Sequence, residues 1–157
     1  MLSSVRTNMQ NNERIQEILK TLNKRQEENK LNYYQPYDFQ KRFHKAGIES
    51  SQRLLMAANR VGKSYVGAME MAAHLTGLYP KWWKGKKYDK PIRAWVCGAS
   101  NETTRDICQK ELFGQPDNPR DRGKGSIPKH LIGETTRKPG VPNAHSSVLV
   151  KHRTGGW

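Results

Sequence analysis

Long apolar runs are missing from this chain. No stretch approaches the roughly 18 consecutive apolar residues of a membrane-spanning helix, so no membrane partner is expected. The first residues are polar and mixed in charge, which excludes a recognisable signal peptide. Cysteine is scarce: Cys97 and Cys108 are the whole supply. Both fall on positions expected to face a core, which predicts free buried thiols in a reducing compartment. The histidines and cysteines show no metal-ligand spacing, and no paired carboxylates mark a nuclease centre. Apolar residues make up 34% of the chain. A chain of this size could bury about 68–70% of its unfolded surface, and this one is lean in the residues that do so. Acidic residues are also few, 14 against 28 Lys and Arg, a net charge of +14. That balance favours a polyanionic partner, nucleic acid ahead of an anionic membrane.

Among what is present, one stretch organises the rest: Ala57-Ala58-Asn59-Arg60-Val61-Gly62-Lys63-Ser64. Leu54-Leu55-Met56 leads in as a short apolar strand, and a helix-forming run leads out from Lys63 to about Leu78. Strand, tight loop ending Gly-Lys-Ser, then helix is the layout of a phosphate-binding P-loop. Its backbone N–H groups curl around phosphate oxygens, and the helix N-terminus adds partial positive charge there. Lys63 would reach the β- and γ-phosphates of ATP, and the Ser64 hydroxyl would ligate Mg²⁺. Ala57 stands where the pattern usually has Gly, a mild departure as long as its φ stays negative.

Around this loop the chain reads as follows. Residues 1–10 carry no pattern and are expected to fray. From about Asn12 to Leu31, Ile15, Ile18, Leu19 and Leu22 form one stripe of an amphipathic helix. Packing on its own domain is the commoner outcome for so short a stripe, docking on another subunit the sharper one. Pro36 suits the start of a helix that puts Phe39 and Phe43 on one face. Gln40 on that helix could pair bidentately with the adenine edge, and Tyr33, Tyr34 or Tyr37 could stack on the base. After the P-loop helix, which Gly77 should end, comes Pro80-Lys81-Trp82-Trp83-Lys84-Gly85-Lys86-Lys87-Tyr88-Asp89-Lys90. Interleaved lysines and aromatics suit either a nucleic-acid surface or, slightly ahead, a solvated loop whose tryptophans cap the core edge. Ile92–Ala99 reads as a second parallel strand, and a helix capped by Ser100 or Asn101 should run to Phe113, ended by Gly114. Gln115–Ala144 is expected to be a long loop with one short helix near 129–132. Residues 147–152 read as a last strand, followed by a turn at Thr154-Gly155-Gly156. No apolar strand after Ser64 ends in Asp-Glu, the Walker B feature that positions Mg²⁺ and the attacking water. The chain should therefore hold a triphosphate without hydrolysing it.

Three segments then carry a family resemblance: residues 34–40, 53–64 and 74–83, supported by Trp95–Ser100 and Thr104-Arg105-Asp106. From about Tyr33 onward the chain resembles the N-terminal part of the large terminase subunits of tailed bacteriophages. The resemblance implies an α/β fold: a partial P-loop NTPase, RecA- or helicase-like, with a parallel sheet, flanking helices and an N-terminal amphipathic helix. Residues 1–32 would be a helical arm, and 33–157 the first portion of an ATPase domain, truncated before Walker B. By position, Lys63 and Ser64 would hold the triphosphate and Mg²⁺. Arg60 would sense or stabilise the γ-phosphate, and Gln40 with Tyr37 would meet the adenine. The family drives double-stranded DNA into a procapsid through the portal, so the implied partners are DNA, portal, small terminase subunit and further copies of the motor subunit. The implied location is the host cytoplasm. Two other classes stay open on the residues alone: a basic nucleic-acid-binding protein with a vestigial P-loop, and another RecA-like ATPase such as a helicase.

Overall fold

The helix α4, Lys63–Thr76, is the centre of the molecule, because its small residues let neighbours approach closely. The computed structural model describes residues 2–157, with side chains from Asn11 onward. Val66, Met69, Ala72 and Ala73 on α4 are fully buried. Met69, Ala72 and Ala73 pack with Leu31, Tyr34, Trp83, Leu112, Ile127 and Val150 into one core. Gly77 closes α4 with φ of 69°, and its N–H donates to the Ala73 carbonyl. This is the left-handed C-terminal stop that glycine supplies.

Helix α1 spans Leu2–Glu28, starting well before the expected Asn12. Once a nucleus exists, each added residue gains a hydrogen bond, so the helix runs past the end of its apolar stripe. The stripe itself corrects the expectation of packing on its own domain: Ile15, Ile18, Leu19 and Leu22 are all exposed. A short helix α2, Lys30–Tyr33, follows and buries Leu31. Helix α3 covers Asp38–Ala46, beginning just after Pro36 as the sequence suggests.

After α4, Trp82 and Trp83 turn inward. Trp82 Nε1 donates to the Tyr34 carbonyl at 3.2 Å, and Trp83 Nε1 to the Lys86 carbonyl at 3.0 Å. A Cβ on Gly85 would lie 2.4 Å from the His44 carbonyl oxygen, so only glycine lets the segment close over α3. Lys81, Lys84, Lys86, Lys87 and Lys90 point to solvent. Trp83 is thus a core anchor, and Trp82 packs half-buried against the same core.

Helical residues continue from Asn101 to Phe113: α5 at Asn101–Thr103, a π-helical segment at Thr104–Gln109, and α6 at Lys110–Phe113. Ser100 caps the run, accepting from the Thr103 N–H at 3.1 Å, and Gly114 ends it with φ of 101°. The region expected as one long loop holds more order than its Gly and Pro content suggests. It contains 3₁₀ turns at Pro119–Asp121 and Lys129–Leu131, then strand β1, Ile132–Arg137. β1 pairs antiparallel with β2, His145–Val150, in the register Ile132 to Val150 and Thr135 to Val148. Tertiary pairing overrides local composition here. The last strand ends at Val150, and His152 belongs to the following turn, donating to the Gly156 carbonyl. The cysteines depart from expectation: Cys97 is exposed and Cys108 half-buried, where burial and Cys97 raise its thiol pKa.

The two stretches expected as parallel strands have no ladder. Arg53–Ala57 and Ile92–Gly98 show the in–out alternation of strands, yet among the described residues no backbone–backbone hydrogen bond reaches either. Their outward side chains stand bare: Leu54 is 83% exposed, Met56 80% and Trp95 92%. Unpaired strand edges with exposed apolar residues template association. Trp95→Lys should therefore lower self-association in light scattering while changing stability by about 0.5 kcal/mol or less, the usual range for a surface site.

Candidate nucleotide-binding site

The loop before α4 is held open by its own backbone. Arg60 has φ of 63° and Gly62 φ of 84°, two left-handed turns that swing the chain into the helix. The first helical bond runs from the Val66 N–H to the Gly62 carbonyl at 2.9 Å. No N–H from Ala57 to Tyr65 has a backbone partner among the described residues. Gly62, the residue preceding α4, offers no side-chain cap to take them up. Free donors with the positive end of a helix behind them are an arrangement that favours an anion.

Lys63 folds back over this loop. Its Nζ donates to the Ala57 carbonyl at 2.8 Å and to the Ala58 carbonyl at 2.7 Å. The ammonium therefore sits across the loop mouth, on exposed acceptors that an anion could replace. Ser64 and the Arg60 side chain are exposed beside it.

Gln40 approaches the same loop from α3. It is 3% exposed, and its Nε2 lies 3.3 Å from where a Cβ on Gly62 would stand. Its Oε1 accepts from the Tyr37 N–H at 2.9 Å and faces the Tyr34 hydroxyl at 3.4 Å. Tyr37 is 71% exposed, its ring stacked beside Phe39 at 6.2 Å. The structure thus brings Gln40 to the loop and leaves Tyr37 facing solvent, while Tyr34 is buried.

Behind the loop lies a polar network that the sequence reading missed. Glu70, two turns along α4, is buried and receives Arg53 on both oxygens. His44 Nδ1 lies 2.8 Å from Glu70 Oε2, and His74 Nε2 lies 3.4 Å from Oε1. Arg53 also donates to the Phe43 carbonyl at 2.7 Å and covers the Phe43 ring. His44 Nε2 meets the Tyr34 hydroxyl at 3.1 Å, and His74 Nδ1 the Tyr79 hydroxyl at 3.1 Å. Arg53 precedes the loop and Glu70 follows it, so their ion pair clamps the two ends of the loop together. Burial pushes the Glu70 carboxyl up, but hydrogen bonds from His44, His74 and Arg53, with the Arg53 charge, hold it well below the usual carboxylate range. Burial, followed by Tyr65 and Glu70, pushes the Tyr34 hydroxyl well above the usual tyrosine range. The signal for this network was in the sequence: an acid amid Val66, Met69 and Ala73 on a core-facing stripe demands buried partners.

The described residues contain no group of three or more His, Cys, Asp or Glu arranged to hold a metal ion. A divalent ion here would have Ser64 as its protein ligand, the sparse coordination that Mg²⁺ with phosphates and water accepts. No helix among the described residues is long and apolar enough to cross a membrane.

Comparison with known proteins gives the family. Residues 54–156 match the family model described as terminase large subunit, T4likevirus-type, N-terminal. The chain is 37% identical over 170 residues to the terminase large subunit of Salmonella phage P22, covering 98% of this chain. It belongs to the terminase large-subunit family. The chain spans 34% of the length of that curated relative. No solved structure matches the chain at a significant level.

Proposed function

We propose that this chain is the nucleotide-holding part of a viral DNA-packaging motor, taking Mg-ATP on the loop 57–64. The observation that carries the reading is the row of free amides from Ala57 to Tyr65, with Lys63 Nζ lying over two exposed carbonyls. In this reading the amides and Lys63 receive the β- and γ-phosphates, exchanging loop carbonyls for charged oxygens. Ser64 contributes its hydroxyl to the Mg²⁺, which supplies charge neutralisation on the phosphates when bound. Arg60, exposed at the loop apex, reaches the γ-phosphate, and the open face of Tyr37 carries the base. Double-stranded DNA, the portal and the small subunit are the partners that go with this family role. The exposed lysines between Lys81 and Lys90 are a candidate surface for DNA phosphates.

The same reading gives the bare segments a purpose. In it, Arg53–Ala57 and Ile92–Gly98 are strands of a parallel sheet. Parallel strands are apolar on both faces, as Leu54-Leu55-Met56 and Trp95-Val96-Cys97 are.

Calorimetry with Mg-ATP tests the function. A dissociation constant between micromolar and millimolar, about −8 to −4 kcal/mol, is the expected result. Ser64→Ala should weaken binding in Mg²⁺ and leave it unchanged in EDTA. Absence of heat at millimolar nucleotide contradicts the reading.

A further inference from the structure

We infer that the segment 80–90 is a preformed cationic surface, seated on α4 by the Tyr79 hydroxyl, that holds duplex DNA by its phosphates. This rests on the DNA side of the proposed function and not on the nucleotide reading. The segment has no helix or strand of its own, so anchoring side chains set its shape. Trp83 Nε1 donates to the Lys86 carbonyl at 3.0 Å, and Trp82 Nε1 to the Tyr34 carbonyl at 3.2 Å. The Tyr88 N–H donates to the Tyr79 hydroxyl at 2.8 Å. That N–H can only donate, so the tyrosine's own proton goes to His74 Nδ1, 3.1 Å away. His74 then carries its hydrogen on Nε2, facing Glu70 at 3.4 Å. One hydroxyl thus joins the lysine segment to the buried cluster on α4.

What the segment turns to solvent is charge. Lys81, Lys84, Lys86, Lys87 and Lys90 are all exposed. Among the described residues none of the five is ion-paired with a carboxylate. Lys86 Nζ lies 5.2 Å from the Tyr88 ring centre, and Lys87 Nζ 5.9 Å from that of Tyr79. A cation resting on a ring keeps its charge and has less freedom to lose when a ligand arrives. The four rings are buried or half-buried, so no large apolar side chain is exposed among the lysines. A lipid surface is met by aromatic or aliphatic side chains that enter it beside the basic ones, and this segment presents none. Placed ammonium groups without carboxylate partners suit the closely spaced phosphates of a duplex. Contacts of that kind carry no sequence information.

Anisotropy of a short labelled duplex, titrated with the whole chain between about 50 and 200 mM salt, decides it. Each phosphate neutralised steepens the fall of log affinity with log salt by about 0.9. Lys84→Ala and Lys87→Ala should each lower that slope by about 1, equally on unrelated sequences. Lys20→Ala, on α1, should leave it unchanged. Tyr79→Phe keeps the rings and all five lysines, yet should lower the slope by about 2, because Lys86 and Lys87 lose their fixed places. Tyr88→Leu, which removes the ring under Lys86, should lower it by about 1. Wild-type slopes in both tyrosine variants overturn the positioning role of Tyr79. Wild-type slopes in both lysine variants overturn the surface, although the duplex still binds and the DNA reading stands. A single strand bound about tenfold or more tightly than the duplex overturns the phosphate assignment, since stacking on bases then leads. Vesicles of phosphatidylserine and phosphatidylcholine held as tightly as the duplex overturn the choice of DNA. No binding of duplex at the lowest salt overturns the surface and the DNA side of the proposed function together, while Mg-ATP calorimetry still decides the nucleotide side.

Discussion

Glu70→Ala is expected to cost roughly 3–5 kcal/mol of folding stability, the penalty for removing one partner from a buried charge cluster. Arg53 would be left partly buried with its charge unmatched, and His44, fully buried, would lose the acceptor at its Nδ1. Typical domains have only about 5–15 kcal/mol in total, so the variant should melt far below the wild type or fail to fold. Glu70→Gln keeps an acceptor for one of these donors and should lose less. The pH dependence has a definite sign. The folded-state value of Glu70 lies below its ordinary 4.5, so its contribution is complete above that pH and disappears as pH falls below it. Wild-type melts should therefore drop on acidification below about pH 4.5 more steeply than those of Glu70→Gln. Circular dichroism melts across that range test both statements; parallel pH profiles would contradict them.

Lys63→Ala carries the second large effect, and it falls on affinity rather than stability. Truncating one partner of a hydrogen-bonded charge pair costs about 2–5 kcal/mol, a loss of roughly 30- to several-thousand-fold in Mg-ATP binding. In the free protein Lys63 donates only to the exposed carbonyls of Ala57 and Ala58. Exposed bonds of this kind contribute about 1 kcal/mol or less each, so the melt should barely move. The contrast separates the two roles: Glu70 holds the loop's ends, and in the proposed function Lys63 meets the ligand. A variant that binds Mg-ATP as tightly as the wild type would remove Lys63 from the site.

Local chemistry made several parts of the structure legible. The Gly-Lys-Ser loop, the start of α4 at Lys63, its stop at Gly77 and the Ser100 cap all follow from residues that impose one backbone geometry. What stayed hidden depends on partners distant in sequence. β1 is the case in point: Ile132-Gly133-Glu134-Thr135-Thr136-Arg137 has little strand character until β2 lies beside it. The Glu70 cluster joins residues from α3, the segment before the loop, and α4, so no local window contains it. Gln40 shows the limit from the other side. Its position near the loop 57–64 was readable from spacing, whereas the direction of its amide depends on the Tyr37 N–H and on Tyr34. The packing of Trp82 and Trp83 likewise favours the core-edge reading that composition left open, because each indole N–H finds a backbone carbonyl.

The most direct test of the central claim is a crystal structure of the chain with Mg²⁺ and a non-hydrolysable ATP analogue. The account predicts Lys63 Nζ about 2.7–2.9 Å from a β- or γ-phosphate oxygen, released from the Ala57 and Ala58 carbonyls, with Ser64 Oγ about 2.1 Å from the metal. A triphosphate bound elsewhere, with Lys63 still hydrogen-bonded to those two carbonyls, would contradict it.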